Sequence, residues 1–321
     1  MDDANVILGL LYDRRDFVSM HELGAEVGCS GDSERLQRGL GELRGRGHKI
    51  DLEPARGVRL ARPIRLDAWL VERGLDTELI GRSVVCFDEV DSTNDVAMGS
   101  AAQEGTGGLV VTAESQRAGR GRQGSKWISP PGDGLLFSVL LTDGAELLAH
   151  EPTTIASGLA VAEGIEESCS IRCELKWPND VCIRGEKVAG VLIESRPEGP
   201  TRATAIGIGV NVYASPPREA IGRPATHLSD HSEFAERVDL IRSILRRLDY
   251  WRGEIMARRH DLLHEQWMRR CGMLHQRVRI LSGGVEQVGR VVDISPLEGL
   301  VLARDDGGHV HLHAAVSTVL D

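Results

Sequence analysis

The middle of the chain carries a string of glycine, arginine, glutamine, serine and one lysine: Gln116-Arg117-Ala118-Gly119-Arg120-Gly121-Arg122-Gln123-Gly124-Ser125-Lys126-Trp127. A strand-like run, Gly108 to Thr112, precedes it and Pro130 and Pro131 follow it, so a long loop between strands is predicted. Glycine lets the backbone approach a ligand closely, while backbone N–H groups, Arg and Lys can converge on phosphate-type oxygens. The Walker pattern is absent. The alternative interpretation is a solvated basic loop.

Lysine is scarce in this chain, because Lys49, Lys126, Lys176 and Lys187 are the only lysines among 38 basic residues. The last three lie in the strings Gly124-Ser-Lys-Trp127, Leu175-Lys-Trp-Pro-Asn-Asp180 and Glu186-Lys-Val-Ala-Gly190. An ammonium group is a compact charge, whereas a guanidinium group is a broad planar fork. The three lysines therefore predict a pocket for closely spaced anionic oxygens, unless so few residues cluster by chance.

Together with three further strings, these motifs resemble the signature sequences of biotin–protein ligases, specifically the bacterial type that is also a biotin-operon repressor. The further strings are Asp91-Ser-Thr-Asn94, Lys187-Val-Ala-Gly-Val-Leu-Ile-Glu194 and Gly207-Ile-Gly-Val-Asn211. The resemblance is strong in the middle of the chain and covers both ends in outline. It implies an α+β multidomain protein with a winged helix–turn–helix, a central α/β catalytic domain and a small SH3-like β-barrel. The catalytic domain would have a mixed sheet of the class II synthetase-like, biotin–lipoate ligase type.

The resemblance implies a reaction in two steps. The carboxylate of biotin attacks the α-phosphate of ATP to form biotinoyl-AMP, and a lysine of a biotin carboxyl carrier protein then attacks this anhydride. The carrier would belong to acetyl-CoA carboxylase or a related biotin-dependent carboxylase. Because the first step joins two anions, cationic side chains and Mg²⁺ are expected at the reacting oxygens.

The resemblance also implies site residues. The expected catalytic residues are Lys187, Arg122 and Asp180. Biotin would be bound by Ser92, Thr93, Asn94, Gln116, Gly119, Arg120, Gly121, Arg122, Lys187 and Gly190. ATP and the adenylate would be bound by Arg120, Arg122, Lys126, Trp127, Lys176, Asn179 and Asn211. Each has a structural alternative: Ser92 or Thr93 can cap a helix, Trp127 can fill core, and a lone lysine can lie at the surface.

Asp180 has several open roles: orienting the incoming lysine, accepting its proton, contacting Mg²⁺, or forming a structural ion pair. Gln123 and Ser125 depart from the best-known repressor-type relative, which has arginines there. The loop is therefore less cationic, and its part in dimerisation or adenylate retention is open.

The N-terminal segment is predicted to contain three helices and a hairpin, the order of a winged helix–turn–helix. The helices are expected at Val6 to Leu11, Met20 to Val27 with Ser19 as N-cap, and Asp32 to Leu43. Residues 35–65 carry nine basic side chains against three acidic ones, a local charge of +6. We expect DNA contacts from Arg35, Arg38, Arg44 and Arg46. A helical docking module without a DNA role is the alternative.

Three domains are expected: 1–65 for DNA binding, 66–271 for catalysis and 272–321 for the C-terminal barrel. Helices are predicted at Thr153 to Glu167 and Phe234 to Arg258 in the catalytic domain. His309, His311 and His313 alternate along a predicted strand, but a solvated face is favoured over a metal site.

Composition excludes some classes of protein. With 41% hydrophobic and 27% charged residues over 321 positions, the chain is typical of a soluble globular protein. No membrane span or signal segment is predicted, so a cytoplasmic location is expected. The net charge of −10 excludes a wholly basic nucleic-acid binder. The six cysteines are predicted to be free thiols.

The expected protein is a homodimeric ligase that also binds biotin operator DNA. Alternatives are a ligase whose winged helix has lost DNA affinity, a biotin-sensing regulator without ligase activity, and a lipoate or octanoate ligase. The charged residues that the catalytic strings retain, among them Arg120, Arg122 and Lys187, argue against the sensing regulator.

Overall fold

The computed structural model describes residues 2–31, 33–142, 150–196 and 203–320. The chain divides into two compact units, Met1–Arg73 and Gly74–Asp321, which are described separately. Among the described residues, no helix is long and apolar enough to cross a membrane. All six cysteines are free thiols.

The first unit contains three helices and a hairpin in the predicted order. The helices are α1 (Asp3–Arg14), α2 (Met20–Val27) and α3 (Glu34–Gly45), and the hairpin pairs β1 (Ile50–Glu53) with β2 (Gly57–Leu60). The predicted cap of α2 is confirmed, because the Ser19 hydroxyl accepts a hydrogen bond from the Glu22 amide at 3.1 Å. Helix α3 begins at its own cap, Ser33, and Asp32 lies outside the described residues.

The first unit also includes helix α4 (Ala68–Glu72), although the sequence predicts that the catalytic domain begins at residue 66. Asp67 explains this boundary. Its buried carboxylate caps α4 at the amide of Trp69 and pairs with Arg46 and with His48, whose Nε2 atom lies 3.1 Å away. These partners outweigh burial and hold the pKa of Asp67 below its usual value. The charged cluster ties α4 to the end of α3.

The second unit is built on a seven-stranded mixed sheet in the order β3-β4-β5-β9-β8-β7-β6. Strands β3 and β4 are parallel, and the other neighbours are antiparallel. All eight residues of the central strand β5 are buried, as its nearly continuous apolar sequence requires. The strands are β3 (Val84–Val90), β4 (Val110–Gln116), β5 (Gly134–Leu141), β6 (Glu174–Lys176), β7 (Asp180–Ile183), β8 (Glu186–Arg196) and β9 (Ala203–Asn211).

The described residues of this unit also form the α-helices α5 (Thr93–Ser100), α6 (His150–Cys169), α7 (Arg218–Ile221), α8 (Arg237–Met256) and α9 (His260–Met268). The long helices α6 and α8 lie near the predicted positions and pack against each other. A Cβ atom at Gly164 would lie 2.5 Å from Ile244 Cγ1, so glycine permits their close approach.

A five-stranded antiparallel sheet follows, in the order β13-β12-β11-β10-β14. It belongs to the same compact unit as the mixed sheet, so the expected boundary at residue 272 does not separate two compact units. A short helical turn, Ala314–Val316, connects its last two strands. The strands are β10 (Arg277–Ser282), β11 (Val285–Ser295), β12 (Gly299–Ala303), β13 (His309–Leu312) and β14 (Ser317–Leu320).

Candidate active site

The described residues form a pocket of about 400 Å³ between the glycine-rich loop and strands β7, β8 and β9. This volume is in the range of small-molecule sites. Fourteen of the sixteen residues predicted for catalysis or for ligand binding line it: Ser92, Thr93, Asn94, Gln116, Arg120, Gly121, Arg122, Lys126, Trp127, Lys176, Asn179, Asp180, Lys187 and Gly190. Motifs distant in sequence therefore meet in one cavity.

Two glycines form the floor of the pocket beneath Trp127. Gly190 on β8 and Gly209 on β9 are directly paired across the strands. A Cβ atom at Gly209 would clash with the indole ring, and one at Gly190 would lie 2.8 Å from Lys187 Nζ. The indole Nε1 atom is buried and has no hydrogen-bond partner among the described residues. Glycine in these strands thus lets the indole ring lie against the sheet.

One end of the pocket, which we call the neutral end, consists of hydroxyl and amide groups. Gln116 Oε1 accepts a hydrogen bond from the amide of Thr93 at 2.8 Å, so Gln116 rather than Ser92 caps helix α5. Ser138 Oγ lies 2.7 Å from Thr93 Oγ1 and 2.6 Å from Asn94 Oδ1. Asn94 Nδ2 donates to Glu194 at 2.6 Å. These contacts hold the polar groups of the neutral end in place.

Sequence reasoning missed Ser138, Glu194 and the packing of Asn94 on Gly207. Ser138 was detectable as the one hydroxyl in the apolar strand β5. A Cβ atom at Gly207 would lie 2.5 Å from Asn94 Oδ1, which explains the first glycine of the Gly207–Asn211 motif.

A second group of pocket residues, which we call the charged end, is centred on Asp180. Its carboxylate pairs with Lys187 Nζ through one oxygen and with Arg223 Nη1 at 2.7 Å through the other. Lys187 is buried, and burial lowers the pKa of its ammonium while Asp180 opposes that shift. Its Nζ atom also lies 5.4 Å from the centre of the Trp127 ring. A buried cation is thus held beside the pocket by one carboxylate.

The two loop arginines have different partners. Arg120 donates to Asp95 at 2.7 and 2.8 Å and to Glu194 at 3.1 Å, and the Asp95 contact is the main cause that raises its pKa. Its charge is therefore already compensated, which departs from the expectation that it neutralises ligand phosphates. Arg122 instead donates to backbone carbonyls of Ala314 and Ser317, and to Asn179 Oδ1 at 3.3 Å. Burial lowers its pKa.

Two expected ligand contacts lie outside the pocket. Asn211 is buried and donates to the Thr226 carbonyl at 3.0 Å, so it anchors the segment after α7 instead of facing the cavity. Gly119 accepts a hydrogen bond from the Trp127 amide at 3.0 Å and closes the loop. Asn179 lines the pocket, but its Nδ2 atom donates a hydrogen bond to the Val191 carbonyl at 2.7 Å.

The residues suited to Mg²⁺ are few. No cluster of three His, Cys, Asp or Glu side chains within the described ranges has the arrangement of a metal cage. Asp180 lines the pocket as expected, but both of its oxygens pair with cations. A contact between Asp180 and Mg²⁺ would therefore require one of these ion pairs to open.

The four arginines predicted to contact DNA differ in their exposure and in the partners of their side chains. Arg46 donates to Asp67 and to Asn5 Oδ1 at 2.8 Å, so its guanidinium has a structural role, contrary to the expected DNA contact. Arg35 pairs with Asp3 at 2.5 Å. Arg38 and Arg44 are exposed on α3.

Comparison with known proteins identifies the family. Residues 86–211 match the Biotin/lipoate A/B protein ligase family. The chain is 34% identical over 236 residues to the bifunctional ligase/repressor BirA of Bacillus subtilis, covering 72% of each protein. It is 27% identical to the bifunctional ligase/repressor BirA of Escherichia coli over 98% of this chain and 99% of the other.

Among solved structures, the biotin protein ligase of Aquifex aeolicus in complex with biotin and ATP matches with a TM-score of 0.65 and 27% identity. The match covers 74% of this chain and 99% of that one. The chain therefore belongs to the biotin–protein ligase family, and it is a ligase enzyme.

Proposed function

We propose that the pocket joins biotin to ATP as biotinoyl-AMP and transfers the biotinoyl group to a lysine of a biotin carboxyl carrier protein. The observation that carries this proposal is the pairing of the neutral end with the charged end in one cavity. Biotin has a neutral ureido ring at one end and a carboxylate at the other, so it matches this polarity. The Aquifex aeolicus relative, which was solved with biotin and ATP, supports it.

The ureido ring would lie at the neutral end. Its N–H groups and carbonyl need partners once they are buried, and the Thr93, Asn94 and Gln116 side chains offer both donors and acceptors. Ser138 and Glu194 already hold Asn94 in place, so little ordering is needed when biotin binds. Trp127 would pack along the ligand.

The first step would take place beside Lys187. An oxygen of the biotin carboxylate bonds to the α-phosphorus, the bond to the bridging oxygen breaks, and pyrophosphate leaves. Lys187 would stabilise the negative charge that develops on the α-phosphate oxygens, because its ammonium is compact and largely desolvated. Asp180 would orient Lys187 through their ion pair and offer one oxygen to Mg²⁺ bound to ATP. Mg²⁺ would neutralise phosphate charge.

Biotin-dependent exchange of labelled pyrophosphate into ATP tests the first step. We expect the purified protein to catalyse exchange only when biotin is present. Exchange that lipoate or octanoate supports as well as biotin does would contradict the assignment of substrate.

We propose that the first unit is a winged helix–turn–helix that binds biotin operator DNA as part of a homodimer. The order of its helices and hairpin supports this, as do the relatives described as ligase/repressors. Exposed Arg38 and Arg44 would contact phosphates. Gel-shift titrations should show affinity that falls steeply with salt and rises with biotin and ATP. Salt-independent or absent binding at low ionic strength would favour the function of a ligase alone.

A further inference from the structure

Arg223 lies in the pocket, and none of the sequence motifs includes it. It follows the short helix α7 and Gly222, whose φ of 72° lies in the left-handed region. The next residues pair with the strand of the catalytic lysine: Lys187 N donates to the Pro224 carbonyl at 3.3 Å, and Thr226 N donates to the Lys187 carbonyl at 3.0 Å. The position of Arg223 is therefore coupled to that of Lys187.

Two cations surround the single carboxylate of Asp180. One carboxylate, with 8% of its side chain exposed, pairs with both Lys187 and Arg223. Arg223 is the more accessible of the two cations to solvent and to a ligand, because 40% of its side chain is exposed against 11% for Lys187. If Arg223 moved away, Lys187 would still neutralise Asp180, so no unpaired buried charge would remain. The second cation is thus available to an anion.

We propose that Arg223 is a binding residue for the β- and γ-phosphates of ATP and for the pyrophosphate that leaves. When the nucleotide binds, the Arg223 guanidinium leaves the Asp180 oxygen and donates hydrogen bonds to phosphate oxygens instead. Arginine suits this contact, because its planar guanidinium can bond to two phosphate oxygens at once. The Asp180 oxygen that Arg223 releases would be available to Mg²⁺, which would help to neutralise phosphate charge. This inference rests on the proposed function, and it adds a phosphate contact from outside the glycine-rich loop.

Calorimetric titration of ATP, pyrophosphate and AMP into the Arg223→Ala protein tests the inference. Loss of one charge-assisted hydrogen-bond partner should weaken ATP and pyrophosphate binding on the order of 10-fold or more. AMP, which lacks both outer phosphates, should bind as it does to the wild type. Arg223→Lys should restore part of the affinity. Arg218→Ala is the matched control, since Arg218 is exposed on α7 and does not line the pocket.

A merely structural role would have a different outcome. If Arg223 only neutralises Asp180, then adding Arg223→Ala to an Asp180→Asn protein should leave ATP affinity unchanged; we expect the loss to persist. Unchanged ATP affinity in Arg223→Ala, or a loss that disappears in the Asp180→Asn background, would overturn the inference. Wild-type protein that neither binds ATP nor exchanges pyrophosphate would instead overturn the proposed function.

Discussion

The two ends of the pocket are organised differently. At the neutral end, Gln116 Oε1 accepts a hydrogen bond from the Thr93 amide, and Ser138 Oγ donates to Thr93 Oγ1 and lies within hydrogen-bond distance of Asn94 Oδ1. At the charged end, Lys187 and Arg223 share a single carboxylate. Under the proposed function, the hydrogen-bonded polar groups of the neutral end would suit a neutral ring, and the two cations that share one carboxylate would suit an anionic ligand.

The two arginines of the glycine-rich loop also differ in their partners, although they lie within three residues of each other. Arg120 forms ion pairs with two carboxylates, Asp95 and Glu194, which fix its position in the loop. Arg122 donates to the backbone carbonyls of Ala314 and Ser317 and forms no direct ion pair among the described residues. The two arginines have different partners although one residue separates them, so we expect them to have different roles.

The largest effect is expected at the charged end. Lys187→Arg should lower the rate of biotin-dependent pyrophosphate release by about 100- to 1,000-fold, because a planar fork cannot replace a buried compact charge. The measurement is a steady-state release assay. Near-normal release of pyrophosphate would refute the role of Lys187 in adenylation, and with it the proposal that the charged end stabilises the developing negative charge.

A smaller effect is expected at the neutral end. Ser138→Ala removes a hydroxyl that holds Thr93 and Asn94, and it should raise the KM for biotin by about 10-fold while the KM for ATP stays near the wild-type value. Steady-state kinetics with each substrate varied would show this. A change confined to ATP would mean that the two ends have been assigned in reverse.

Retention of the adenylate should separate the two arginines. Arg122→Ala removes a charged contact and the hold on Ala314 and Ser317, so we expect severalfold faster escape of biotinoyl-AMP. The variant should label other proteins readily but itself mainly at Lys49 and the N-terminal amine. Peptide mapping gives the answer, with Arg120→Ala for comparison. Heavy labelling of Lys126, Lys176 or Lys187 would contradict their assignment as engaged pocket residues.

The smallest effect concerns pH. Because burial lowers the pKa of Lys187, adenylation should decline at a pH below the titration of an ordinary lysine. Asp180→Asn removes the charge that opposes this shift, so its alkaline decline should begin at a lower pH still. Ser138→Ala should leave the alkaline limb in place. An Asp180→Asn profile that moves to higher pH would contradict the electrostatic account.

Short motifs predicted the pocket well, because each string combines glycine with charged or amide side chains at one turn of the chain. The central mixed sheet that the resemblance implied is confirmed, and the C-terminal part of the chain forms an antiparallel sheet. The winged helix–turn–helix stays a prediction. A motif does not show, however, which way each of its side chains points in the folded chain. Asn211 was expected to contact the nucleotide, yet its position at the end of β9 brings it to the Thr226 carbonyl. Arg46 likewise faces Asp67.

Partners set by strand register were not predictable from local sequence. Glu194 meets Asn94 and Arg120 across 100 and 74 residues, and Arg223 meets Asp180 across 43. These contacts depend on the order β9-β8-β7 and on the pairing of residue 187 with residue 225. One sequence contains no signal for such contacts, so only the assembled sheet reveals them.

Transfer of biotin to a carrier tests the central claim most directly. The full-length protein would be incubated with biotin, ATP, Mg²⁺ and an apo biotin carboxyl carrier domain, and the carrier would be examined by intact-mass spectrometry. We predict one biotinoyl group on the carrier lysine, dependent on both biotin and ATP and nearly abolished by Lys187→Arg. An unmodified carrier, or modification that Lys187→Arg leaves undiminished, would contradict the account.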